Sequence, residues 1–72
     1  MDSTYITFHK MNNRDFAVKN LDNFNLCFSS PNTIDLREIR LKSPKSDEKV
    51  KNFLKFLDNN GIHEIYDYTL NG

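Results

Sequence analysis

Residues 43–61 carry a helix start signal, an amphipathic stripe and a stop signal in the right order, and no other stretch limits the fold as much. Ser43 can cap with Pro44 at the first helical position, or Ser46 can cap ahead of Asp47 and Glu48, whose carboxylates suit the positive end of the helix dipole. Val50, Phe53, Leu54 and Leu57 follow at i, i+3, i+4, i+7, the spacing of an apolar face that must lie on something. Asp47 and Lys51 add an i, i+4 pair in the better orientation. Gly61 supplies the left-handed residue that ends a helix. The pattern predicts a helix over 44–60.

Strand-like stretches flank it. Ile62, Glu64, Tyr66, Tyr68 and Leu70 share one side of an extended chain, which predicts a strand with one buried face. Upstream, 33–41 also reads as a strand, with Ile34 and Leu36 on one parity and Ile39 and Leu41 on the other. A bulge near Arg37 and Glu38, or burial on both faces, reconciles the halves. A strand-helix-strand unit with short connections sets its two strands parallel in one sheet. They need not touch. Residues 4–10, with Ile6 and Phe8 on one face and Tyr5, Thr7 and His9 on the other, are the candidate to lie between them, and Asn12-Asn13 reads as the turn that ends this strand.

Residues 14–23 read two ways. Ala17, Leu21 and Phe24 are spaced as on a helix, which gives the ferredoxin-like βαββαβ plan. Phe16 with Val18, then Phe24, Leu26 and Phe28, alternate as on strands, which gives a β-meander followed by one helix and one strand. Residues 24–29 are strand in both, and Ser30-Pro31-Asn32 is a turn. Either way the expectation is a single small α+β domain over 1–72, with a mainly antiparallel sheet of about four strands and the 44–60 helix on one face.

At 72 residues there is room for one core, and folding at this size buries only roughly 60% of the surface that the unfolded chain exposes. Six Phe and three Tyr help to fill it. The 28% of charged residues suits a soluble globular chain. No apolar run approaches the roughly 18 to 20 residues of a membrane span, and the opening Met-Asp-Ser-Thr-Tyr has no secretion signal, so no membrane association and a cytoplasmic location are expected. The lone Cys27, alternating with Leu26 and Phe28, reads as a buried thiol in a reducing compartment. Phe, Tyr, Met, Ile, Asn and Lys supply 33 residues against 8 from Gly, Ala, Arg and Pro, the skew of an AT-rich genome.

Catalytic motifs are missing from the sequence. Only His9 and His63 could act as an imidazole base, neither in a recognisable setting. With Gly61 and Gly72 the only glycines, neither a nucleophile elbow nor a glycine-rich phosphate loop can be built. His63, Glu64 and Asp67 are the nearest approach to a metal cluster, but no paired Cys or His occurs at ligand spacing. The expectation is a non-enzymatic protein without a cofactor or metal.

Charge is uneven although it sums to zero. From Arg37 to Lys55 seven basic side chains face three acidic ones, whereas beyond Lys55 only Asp58, Glu64 and Asp67 are charged. Arg37, Arg40, Lys42 and Lys45 are candidates to track phosphates, the basis of the alternative expectation, a small nucleic-acid-binding domain. The run of basic, glycine and aromatic positions expected of an RNA-recognition sheet is absent, although Tyr5 and His9 could stack bases. The favoured expectation is a protein-interaction module that occupies the surface of a larger protein partner. Lys45, Lys49, Phe56, Tyr66 and Tyr68 are its candidate contacts, since amphipathic aromatics and rim residues suit an interface. Size and composition suit a phage- or plasmid-encoded inhibitor of the anti-defence or anti-CRISPR type, or an immunity protein, acting in the cytoplasm of a bacterial host. A homodimer through a free sheet edge is the further partner to consider.

Overall fold

The computed structural model describes residues 2–71, with the side chains of Leu70 and Asn71 outside the described set. The elements are β1 (Asp2–Phe8), α1 (Met11–Asn20), a 3-10 turn (Leu21–Phe24), β2 (Phe28–Ser29), β3 (Glu38–Leu41), α2 (Glu48–Asn59) and β4 (Ile65–Asn71). The four strands form one open sheet in the order β2-β3-β1-β4, with every neighbouring pair antiparallel. The chain is therefore a small α+β domain with the element order β-α-β-β-α-β. β3 and β4 both run against β1, so they are parallel to each other with β1 between them, as expected from the strand-helix-strand reading.

α2 forms where the stripe demands it, with Val50, Phe53 and Leu57 fully buried. Its start differs from both expected caps. Asp47 is the N-cap, and its carboxylate accepts the Lys49 N–H at 2.9 Å. Ser43 and Pro44 stay outside because they have other partners: the Ser43 carbonyl accepts the buried Thr4 hydroxyl at 2.8 Å, and the Pro44 carbonyl accepts the Asp47 N–H at 3.0 Å. At the other end Gly61 has φ +77°, as expected of a left-handed terminator. The Gly61 N–H bonds to the Asp58 carbonyl and the Ile62 N–H to the Leu57 carbonyl, while Ile62 and Leu57 are both buried, which makes a complete Schellman end.

Residues 11–24 settle the two-way reading in favour of helix. Asn12 and Asn13 lie in the first turn of α1 rather than in a strand-ending turn. α1 has no side-chain cap and little amphipathic bias, so it is held chiefly by the packing of Ala17, Phe16 and Val18 on the core. The expected strand over 24–29 shrinks to Phe28–Ser29, because the 3-10 turn ends in Asn25 at φ 56° and redirects the chain. Leu26 then points inward and Cys27 outward, so the cysteine is exposed, contrary to the expected buried thiol.

The expected strand over 33–41 is likewise shorter. Asn32 Oδ1 accepts the N–H groups of Ile34 and Asp35, and Asp35 Oδ1 accepts that of Arg37, so side chains fold this segment into turns in place of a ladder. Ile34 is left 96% exposed. No bulge is needed, since only Ile39 and Leu41 are strand residues facing the core.

One face of the sheet presents Ile6, Phe8, Ile39 and Leu41 to both helices, and these residues share a single buried cluster with Ala17, Leu21, Val50, Phe53 and Leu57. Phe16, Phe24, Phe53 and Phe56 join across the helical layer, with Phe16 stacked on Phe56 at 5.7 Å and Phe24 against Phe53 and Phe56 at 5.4 and 5.2 Å.

Candidate functional site

The register of β1 decides which side chains reach the other face of the sheet. Thr4, Ile6 and Phe8 point to the helices, so Ser3, Tyr5 and Thr7 point away, and cross-strand partners share a face. Tyr5 lies opposite Tyr68 and Arg40, and Thr7 opposite Tyr66 and Glu38. Tyr66 and Tyr68 therefore stand on the uncovered face, whereas Ile65, Asp67 and Thr69 take the helix side. This corrects the expected strand face: the aromatic side of β4 is the open side, and Ile62 and Glu64 precede the strand. The side chain of Leu70 lies outside the described residues.

The open face has an ordered centre. Tyr5 and Tyr68 stack with centroids 5.1 Å apart and planes 4° from parallel, and Tyr66 leans on Tyr68 at 5.6 Å and 45°. The Glu38 carboxylate accepts the Tyr68 hydroxyl at 3.3 Å and the Thr7 hydroxyl at 3.5 Å. Burial among these rings pushes the Tyr68 phenol above its usual value, and the Glu38 charge adds to the shift. Arg40 donates through Nε to Ser3 Oγ at 3.1 Å, and Ser3 is buried beneath it. Tyr66 is 67% exposed and is the outermost of the rings.

A shallow cavity of about 310 Å³ continues the face at one end, lined by Thr7, His9, Arg37, Glu64 and Tyr66 among others. Arg37 is fixed there by Asp35, with Nε and Nη2 each 2.9 Å from its carboxylate oxygens, and by the His9 carbonyl at 3.1 Å. The side-chain bond to Arg37 is the main reason that the Asp35 carboxyl is held down to about 2, and it pushes the Arg37 guanidinium up in turn.

The expected candidates divide between places. Tyr66 and Tyr68 fall together on the open face, joined by Arg40 from the basic set. Lys45 reaches β4 on the helix side, 2.8 Å from Asp67, and Lys49 stands exposed on α2. Phe56 has its ring against Phe16 and Phe24 inside the helical layer. Arg37 and Lys42 lie beyond opposite ends of β3, so the four basic candidates do not make one patch. The candidate metal cluster also separates: His63 Nδ1 meets Asp58 at 2.8 Å, Glu64 lies 3.6 Å from His9, and Asp67 belongs to Lys45. Among the described residues no group of three or more His, Cys, Asp or Glu side chains is placed to hold a metal ion. Nor is any helix long and apolar enough to cross a membrane.

Tyr5, expected only as a residue to stack bases, and Glu38, which was not among the expected contacts, complete the face. The signal was present in β1, where Tyr5 and Thr7 oppose Ile6 and Phe8; the missing knowledge was that both helices lie on one side. Comparison with family models, with curated proteins and with solved structures found no match to this chain.

Proposed function

We propose that this protein is a non-enzymatic binding module that lays the open face of its sheet on a larger protein. The observation that carries this reading is the composition of that face: Tyr5, Tyr66, Tyr68 and Arg40 are gathered on the side of the sheet away from both helices. Tyrosine and arginine are the residue types that most often dominate binding energy, because they bring large contact area and hydrogen bonds at small entropic cost. Within this class, size and AT-rich composition suit an inhibitor carried by a phage or plasmid and acting in the host cytoplasm.

Nucleic acid draws less support. Glu38 puts a negative charge at the middle of the face, and Tyr5 and Tyr66 both pack against the Tyr68 ring, so a base stacking on Tyr68 has to compete with them. The deciding experiment is affinity capture from native host extract at mild salt with wild type, Tyr66→Ala and Lys49→Ala. The expected result is a protein recovered near one-to-one by wild type and Lys49→Ala, with affinity lowered about tenfold or more by Tyr66→Ala. Capture of no protein, or equal capture by Tyr66→Ala, overturns the proposal.

A further inference from the structure

The two edges of the sheet are built differently. β2 is two residues long and runs into Ser30-Pro31, so it offers little backbone for another strand to join. β4 is seven residues long with no proline, glycine, lysine or arginine in it. Its one charged residue, Asp67, points to the helix side and is neutralised by Lys45 at 2.8 Å. The usual guards against edge pairing are therefore missing or silenced on this side.

Backbone parity shows which groups face outward. The Glu64 carbonyl accepts the His9 N–H at 3.2 Å, so the hydrogen-bonded pairs of the β1–β4 ladder include Thr7 with Tyr66 and Tyr5 with Tyr68. The N–H and C=O groups of Asp67 and Thr69, and the C=O of Ile65, then point away from the sheet; the Ile65 N–H is occupied by the His63 carbonyl at 3.0 Å. Antiparallel pairing of β4 with another β4 has to join these outward residues to one another.

We propose that β4 pairs antiparallel with β4 of a second copy about a two-fold axis at Tyr68, joining the two sheets into one. Tyr68 is the midpoint of 65–71, so this register engages the whole strand. It sets Asp67 opposite Thr69, a pair of outward-bonding residues, and Ile65 opposite Asn71. A two-fold at Asp67 would instead set two carboxylates opposite each other, and a two-fold at Tyr66 would use only one end of the strand. Because Tyr68 faces Tyr68 in a non-hydrogen-bonded pair, where side chains stand closest, the aromatic ladder continues across the axis. The axis is perpendicular to the sheet, so both open faces lie on the same side. The dimer does not depend on the face having a protein partner.

Sedimentation equilibrium of the full chain over rising concentration tests the pairing. The expected result is a shift from 8.5 kDa toward twice that mass, with Thr69→Pro staying at 8.5 kDa at the same concentrations. The Thr69 N–H points outward, so proline there removes an intermolecular bond and no bond of the β1–β4 ladder. The register is read from single cysteines in a Cys27→Ser background: Tyr68→Cys is expected to form a disulfide dimer under mild oxidation, and Tyr66→Cys to form about tenfold less. A wild type that stays at 8.5 kDa up to about 1 mM, the weak end of specific association, overturns the proposal. So does equal cross-linking of the two cysteine variants, a readout that holds even if Thr69→Pro fails to fold.

Discussion

At the scale of single residues, the most unusual position is Ile34. A branched aliphatic side chain that is 96% exposed contributes almost nothing to the core, and the segment around it is held by polar bonds from Asn32 and Asp35. Ile34→Ser is therefore expected to change the free energy of unfolding by less than about 0.5 kcal/mol in urea titration, the range of surface substitutions. Leu41, with the same class of side chain, is fully buried, and Leu41→Ala is expected to cost about 2 to 5 kcal/mol. The two residues carry similar weight in the alternating pattern of 33–41. What separates them is a competition that hydrophobic periodicity does not register, in which short polar side chains capture backbone N–H groups before a neighbouring strand can.

At the scale of elements, α2 was the most legible part of the chain because its ends and its stripe are local properties. Its ends are also where its stability can be probed. Asp47→Ala removes the cap and is expected to cost about 1 kcal/mol. Gly61→Ala is expected to cost a similar amount for a different reason: a Cβ at this position meets nothing within 4 Å, so the penalty is the left-handed backbone alone. Both are read as shifts of the urea midpoint at unchanged slope. α1 was ambiguous because nothing local decides it. It lacks a cap and a clear stripe, and it is helical because Ala17, Phe16 and Val18 find the sheet and α2. β2 is shorter than the alternation of Phe24, Leu26 and Phe28 suggests because a 3-10 turn and the left-handed Asn25 occupy the first part of that pattern.

At the scale of the molecule, the placement of both helices on one side divides the sheet into a core face and an open face, and the alternation in β1 separates the residues of the two. The parity of β4 has the largest consequence: Tyr66 and Tyr68, expected both as contacts and on the buried side of their strand, stand on the open face. Its centre also gives the fold a pH dependence. The Tyr68 phenol titrates above its ordinary value of 10.0 in the folded state, so the stability it contributes is complete below pH 10 and is lost as pH rises through the folded value. The urea midpoint of wild type is expected to fall as pH is raised from about 9 to about 11, and that of Tyr68→Phe to fall less.

All three tyrosines of the chain stand on this one face, and there is no tryptophan. Two of their rings lie 5.1 Å apart and within 4° of parallel, close enough for their electronic transitions to couple. The phenol absorption and its circular dichroism thus arise from a single surface, an optical probe supplied by the fold itself. A ligand that settles on the open face is therefore expected to change that signal, which near-ultraviolet circular dichroism would read.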